Sequence, residues 1–276
     1  MANIKYKNSL SKSHLEVILI RDDKYTIKSL ERALDVMMLF YKEKRELGVS
    51  EIAEYLGMYK STVHRILTTL ERRGFIQKNS RNNKYWLGIK VFSLGMLYAK
   101  EMKLRDIARP HLSRLAEKFK ETTHLAVIDF NREEGPEVVV LEKIQKAQFL
   151  SMTPPVGSSS PAYCSAMGKI LLAYSEPETL EKILKKPLKR YTQNTITDYD
   201  KLLKELKKIR QQGYAVDNEE LEVGLTCFAA PVYDFENKVI ASISLSGPSA
   251  RLESLKARDV IREVQKTAEE ISENLK

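Results

Sequence analysis

The stretch from Ile27 to Leu87 restricts the fold most: three helical patterns punctuated by glycine, then a short basic hairpin. Apolar residues Ile27, Leu30, Ala33, Leu34, Met37, Met38 and Tyr41 recur at helical spacing, so a first helix is expected to run to about Glu43. After Gly48, SEIAEYLG reads as a short helix capped by Ser50, burying Ile52, Ala53 and Leu56 and ended by Gly57. In YKSTVHRILTTLERRGFI, residues Val63, Ile66, Leu67 and Leu70 fall at i, i+3, i+4 and i+7, one stripe for a core, and Gly74 stops the helix. Residues 75–78 and 84–87 then read as two strands around the polar turn SRNN. Together these elements describe a winged helix-turn-helix over residues 25–87.

That architecture accounts for the polar residues crowded at the start of the third helix. A helix-turn-helix module inserts the N-terminal part of its second helix into the DNA major groove. Lys60, Ser61 and Thr62 suit phosphate contacts, because ammonium groups, hydroxyls and helix N-termini all bind phosphate. His64 and Arg65 project from the non-core side one turn in, where an arginine can grip guanine in bidentate fashion. Ser50, at the start of the preceding helix, joins this DNA-facing set. For any one residue the alternative is plain: Ser61 as a cap, His64 and Arg65 as a solvated face. The array as a whole favours DNA. In the hairpin, Arg81, Asn82, Asn83 and Lys84 are placed to lie along the neighbouring minor groove or phosphates, while Trp86 reads as a core anchor under the wing.

Charge is segregated in the same way. The net charge is +9, yet residues 1–104 hold 20 Lys and Arg against 11 Asp and Glu, whereas residues 105–276 hold 26 of each. A polyanionic partner for the first third alone, double-stranded DNA above all, follows as an expectation. No apolar run approaches the roughly 18 residues of a membrane span, and the first twenty residues lack a secretory pattern. Two cysteines supply neither a disulfide scaffold nor a four-cysteine zinc site. The cytoplasm is the expected compartment, with no membrane partner and no cofactor.

Residues 1–24 read as a basic arm containing one short strand at VILI. Residues 88–104 read as a linker helix with an apolar stripe at 91, 94, 97, 98 and 102, wide enough to pair with a second copy; packing against its own domain is the alternative. A single reading helix contacts few bases, so a dimer on a two-fold site is expected.

From 105 to 276 the pattern changes. A helix around Asp106–Lys120 carries Pro110 near its start or at a kink. Strands are expected at 125–130, 137–144, 226–235 and 238–247, with turns at Asn131–Gly135 and Glu236–Asn237. Helices are expected at Ala166–Tyr174, Pro177–Lys185, Tyr199–Gln212 and Ser254–Lys276. Strand pairs separated by helices indicate an α+β domain with an antiparallel sheet. Two stretches there have chemical potential. In PPVGSSSPAYCSAMGKILLA a Gly/Ser/Pro loop runs into a helix whose N-terminus can hold a carboxylate. YAVDNEELEVGLTCFAAP brings Asp217 and Cys227 into one region. Cys164 or Cys227 with His124 and Asp217 would make a nucleophile, base and orienter on paper, or a metal site. Both cysteines lie in apolar runs, where an inert thiol is the commoner state, so a binding pocket ranks above an enzyme or a metal-sensing module.

The order of these stretches resembles the IclR (isocitrate lyase regulator) family of bacterial transcription factors. The likeness rests on SLERALDVM, KSTVHRILTTLERRGFI, YWLGIKVFSLG, LRDIARPHLSRLAEKFKETTHLAV, CSAMGK, RYTQNTITD, IRQQGYAVDNEELEVGLTCFAAPV and SLSGP, and it runs from about Tyr25 to the C-terminus. The resemblance implies an N-terminal winged helix on a (pseudo)palindromic operator, and a C-terminal GAF-like, profilin-like domain that binds a small-molecule effector. It further implies homodimers that often pair as homotetramers, and repression as the usual outcome. It places an acidic or aromatic effector at the backbone amides of Ala166 and Met167 and at the side chains of Asp217, Cys227, Ser244 and Ser246. Tyr163 departs from the family pattern, where His is usual, and so does Thr226, where Arg usually precedes the Cys.

Overall fold

The computed structural model describes residues 26–131, 135–146, 153–176, 180 and 187–276. Expectations for the arm at 1–24, the interior of the turn at 131–135 and the helix at 177–185 (Leu180 apart) lie outside the described residues. The chain forms two compact units that divide after Met102.

In the first unit, helices α1 (Lys28–Glu43), α2 (Val49–Tyr55) and α3 (Lys60–Arg72) precede strands β1 (Ile76–Lys78) and β2 (Tyr85–Leu87) and helix α4 (Ile89–Lys100). Val63 and Leu67 of α3 are fully buried against Val36, Phe40, Leu47, Ile52 and Ile76, with Ile66 and Leu70 at the margin of the same core. Gly57 and Gly74 adopt φ of +59° and +76° where the helices must end, a region open to glycine at little steric cost. The expected cap at Ser50 is not formed. Gly48 is the N-cap of α2, Ser50 is the helix's second residue, and the Glu51 carboxylate turns back to accept the Gly48 amide at 2.8 Å. Strands β1 and β2 pair antiparallel with Gln77 opposite Trp86, and Trp86 meets Phe40 edge to face at 5.9 Å, an anchor under the wing. Helix α4 buries none of its residues and exposes Ile89, Phe92, Leu94, Met96, Leu97 and Tyr98, so it is not packed into its own unit.

The second unit is a six-stranded antiparallel sheet between two helical layers. Its strands are β3 (Thr122–Asp129), β4 (Glu137–Ile144), β5 (Ser159–Pro161), β6 (Ala215–Asn218), β7 (Leu225–Tyr233) and β8 (Val239–Pro248), in the order β5-β4-β3-β8-β7-β6. Helices α5 (Lys103–Phe119) and α9 (Ala257–Glu273) cover one face; α6 (Ala166–Ala173) and α7 (Tyr199–Gln212) cover the other, and a short α8 (Ser249–Glu253) follows β8. Period-two alternation divides the strands between the faces. Phe228, Ala230, Ile243 and Leu245 face α5 and α9, while Ala126, Ala215 and Ala229 face α6.

Three sequence expectations change here. Helix α5 begins at Lys103, so Pro110 lies two turns inside it and removes one i→i−4 bond. The C-terminal helix begins at Ala257 rather than Ser254, because Lys256 is extended and serves as the N-cap of α9, and the short α8 at Ser249–Glu253 is an addition to the expected elements. Strands β5 and β6 were not expected.

Candidate nucleic-acid interface and ligand pocket

On α3 the side chains of Lys60, Ser61, His64 and Arg65 are exposed and Thr62 is half-buried, with Ser61 and Arg65 on the side opposite Val63 and Leu67 and Lys60 in the first turn at the end of that stripe. Tyr59 is the N-cap of α3 and gives no side-chain cap bond, so Ser61 does not act as a plain cap. Among the described residues, Lys60 and Arg65 enter no ion pair. Thr68 and Thr69 donate back to the carbonyls of His64 and Arg65 at 2.8 Å, and Thr68 Oγ1 lies 3.4 Å from His64 Nδ1.

The wing is tied to the turn between α1 and α2 by two carboxylates. Glu51 accepts from Arg45 at 2.7 Å and meets Lys84 Nζ at 3.1 Å. Those partners, Arg45 first, then the Gly48 amide and Lys84, hold the Glu51 carboxyl down at about 2. Glu46 accepts from Asn79 at 2.9 Å and Asn82 at 2.7 Å. At the tip, Asn79 Oδ1 and Asn82 Oδ1 accept the amides of Arg81 and Lys84, and Asn83 adopts φ of +55°. Arg81 and Asn83 are therefore presented outward from a braced loop, and Lys84 is shared with Glu51. Ser50 is exposed on α2.

In the second unit a polar diagonal crosses the sheet face beneath α6. Register places Asp217 opposite Cys227, Cys227 opposite Ser246, and His124 opposite Ser244. Directly paired residues of an antiparallel sheet point to the same side. Ser244 Oγ lies 3.3 Å from Ser246 Oγ and 3.5 Å from His124 Nδ1. Helix α6 packs on β7 and β8, and Gly168 lets it close against the turn that precedes it, where a Cβ would clash with the Ala162 backbone. The Ser165 hydroxyl caps the helix by accepting the Gly168 amide at 3.2 Å. The amides of Ala166 and Met167 belong to the first turn and have no intrahelical acceptor. Ala166, Met167, Asp217, Cys227, Ser244 and Ser246 are thus gathered at one face of one unit.

Burial sets the charge state of this face. Asp217 is buried with its Oδ1 accepting the Glu220 amide at 2.8 Å, and burial pushes its carboxyl up to about 7. Burial, reinforced by the nearby Lys143 ammonium, lowers His124 to about 3, so its ring is neutral. His124 Nε2 is buried and, among the described residues, closes no hydrogen bond, while the Pro154 backbone offsets part of the lowering. Burial, and then the Asp217 carboxylate, raise both cysteine thiols. A nucleophilic or metal-binding cysteine needs the opposite shift. His124 contacts Ser244 and not a thiol, so the paper triad is not assembled. Among the described residues no three His, Cys, Asp or Glu side chains converge to hold a metal ion.

A second buried group escaped the sequence reading. Lys169 of α6 is fully buried, pairs with Glu220 Oε1 and donates to the Val216 carbonyl at 2.7 Å, while Glu220 Oε2 has no hydrogen-bond partner among the described residues. The only available signal was a single lysine inside the apolar run AMGKILLA. The two family departures are absorbed locally: the Tyr163 hydroxyl donates to the Lys189 carbonyl at 2.6 Å, and Thr226 bonds Ser249 at 2.9 Å. Recesses of about 140 Å³ (around His111 and Glu270) and about 300 Å³ (around Leu180, Leu206 and Arg210) share no residue with the polar diagonal. Neutral imidazole, hydroxyls, a carboxyl poised near neutrality and free helix amides suit hydrogen bonding to a small acid rather than bond cleavage.

Comparison with known proteins bears on both units. The family model "IclR helix-turn-helix domain" matches residues 29–80, and "Bacterial transcriptional regulator IclR C-terminal" matches residues 96–273. The HTH-type transcriptional regulator XynR of Escherichia coli is 33% identical over 250 residues, covering 90% of this chain and 97% of that protein. The transcriptional repressor IclR of Escherichia coli is 30% identical over 247 residues, 89% of each chain. The solved structure of an IclR homologue from Microbacterium hydrocarbonoxydans, complexed with 4-hydroxybenzoate, aligns with a TM-score of 0.76 at 27% identity, covering 90% of this chain and 98% of that one.

Proposed function

This chain belongs to the IclR family of bacterial transcriptional regulators, and from that premise we propose that it is a cytoplasmic, effector-responsive repressor. Its first unit reads a two-fold DNA operator through Lys60, Ser61, Thr62, His64 and Arg65, with Ser50, Arg81, Asn83 and Lys84 on flanking phosphates. Its second unit binds a small carboxylic or aromatic acid at Ala166, Met167, Asp217, Cys227, Ser244 and Ser246. Effector occupancy changes the placement of paired reading heads, a coupling between two distinct sites. The apolar side chains exposed on α1 and α4, among them Leu34, Phe92 and Leu97, support a homodimer, which pairs further into a tetramer. Repression is supported by the relative named a transcriptional repressor, and an aromatic acid by the homologue complexed with 4-hydroxybenzoate.

One observation supports the reading above the rest: α3 holds Lys60 and Arg65 exposed and, among the described residues, outside any ion pair, on a helix anchored in the core by Val63 and Leu67. The test is selection from a randomised duplex library with the full-length protein. An inverted repeat should be enriched, and Arg65→Ala should bind it about 5- to 150-fold more weakly with relaxed preference at one base pair per half-site. Absence of any enriched sequence contradicts the proposal. In parallel, an acid from a panel of organic, sugar and aromatic acids should raise the melting temperature and lower duplex affinity.

A further inference from the structure

Tyr59 is 84% exposed, the most exposed of the large hydrophobic side chains among the described residues. The other exposed large apolar groups of the first unit fall on α1, its N-cap Ile27 and α4, apart from Tyr55, whose hydroxyl bonds Glu43 at 3.1 Å. Tyr59 has no such explanation. Among the described residues its ring makes no aromatic or cation–π contact and its hydroxyl no hydrogen bond.

Its backbone, by contrast, is fixed on both sides. The Tyr59 carbonyl accepts the amides of Thr62 at 2.9 Å and Val63 at 3.1 Å, which starts α3. Before it, Gly57 makes a left-handed turn and the Met58 amide bonds the Ala53 carbonyl at 2.9 Å. The ring therefore projects from a rigid anchor at the tip of α3, beside Lys60 and Ser61. Ser, Thr, Asp or Asn at this N-cap position would add about 1 kcal/mol of helix stability, which tyrosine forgoes. A residue that neither caps, nor packs, nor hydrogen-bonds, at the point of a reading helix that first enters the groove, has its partner outside the protein.

We propose that Tyr59 is a specificity-determining residue that reads a thymine by packing its ring on the C5-methyl group. The thymine methyl is the distinct apolar handle of the major groove, whereas every other base-edge feature there is a donor or acceptor. Lys60, Ser61, His64 and Arg65 supply polar contacts, and the Thr62 methyl, the other group of the set able to meet a thymine methyl, is on a half-buried side chain. Tyr59 adds an exposed one. This inference rests on the DNA-reading role of α3 proposed above.

The experiment uses full-length wild type, Tyr59→Ala and Tyr59→Phe. The duplex enriched by wild type from a randomised library is resynthesised with each thymine in turn replaced by deoxyuridine, which removes only the methyl. At one thymine per half-site, uracil should weaken wild type and Tyr59→Phe about three- to fivefold, the contribution of one apolar carbon, and leave Tyr59→Ala unaffected. Tyr59→Ala should also relax the selected motif at that base pair alone, with an unchanged melting temperature. Uracil sensitivity that persists in Tyr59→Ala, or is absent from wild type, overturns the role of Tyr59. So does a uniform loss across all duplexes in Tyr59→Phe, which would assign the hydroxyl to phosphate. Wild type that enriches no sequence defeats the underlying role of α3 instead.

Discussion

Arg65 and Asp217 mark the contrast between the two units. Arg65 stands in solvent on the outer face of α3, outside any ion pair among the described residues, in the unit that holds the chain's excess positive charge. Asp217 lies in the interior of an electrically balanced unit, opposite Cys227, which in turn stands opposite Ser246, with its carboxyl pushed up to about 7. A surface group works through long-range charge and is screened by salt. A desolvated group works through short contacts and responds to pH. One chain therefore carries two kinds of polar machinery, and each should fail under a different perturbation.

The largest effect should come from the buried pair. Lys169→Met leaves the Glu220 carboxylate in the interior without its cation and should cost roughly 3–5 kcal/mol in urea unfolding, while Lys169→Met with Glu220→Leu should recover most of it. Trp86, the only tryptophan, reports the reader unit, so its fluorescence transition should stay in place. Movement of that transition would break the comparison.

Next comes Asp217→Asn. Burial raises the folded-state pKa above the unfolded one, so the stability contributed by the protonated carboxyl is full below about 4 and lost as pH rises through about 7. Asparagine keeps the acceptor for the Glu220 amide and removes that loss. Its advantage over wild type should be about 2–3 kcal/mol larger at pH 8 than at pH 5. Equal advantage at both values would mean that Asp217 is not desolvated.

The smallest effect belongs to the surface. Lys84→Ala removes a partly exposed contact with Glu51 and should change stability by less than about 1 kcal/mol, while weakening all duplexes alike. Selective loss for one operator sequence would promote Lys84 from a phosphate contact to a base reader.

Much of the fold was legible from periodicity. The α3 stripe, the Gly57 and Gly74 stops and α7 at Tyr199–Gln212 follow from local spacing. What escaped was set by tertiary partners. Strand β6 is four residues long and polar at Asp217 and Asn218, and it is a strand because it pairs with β7. Strand β5 is Ser-Ser-Pro within a loop-like stretch, ordered by β4. Gly48 displaced Ser50 as cap because Glu51 supplies the returning hydrogen bond. The pocket residues were placed by resemblance to a family rather than by spacing; alternation alone showed only that Ser244 and Ser246 share a face. Lys169 was invisible because its partner, Glu220, lies 51 residues away in sequence.

The segregation of charge is tested most directly by salt. Full-length protein should bind its selected operator with log affinity falling linearly in log salt, by roughly a thousandfold or more between 50 and 200 mM, as expected when six or more phosphates are neutralised. Effector affinity, governed by buried contacts, should barely change over the same range. Operator affinity that is flat in salt, or effector affinity that falls as steeply as DNA affinity, would contradict the division between a charged reader and a neutral sensor.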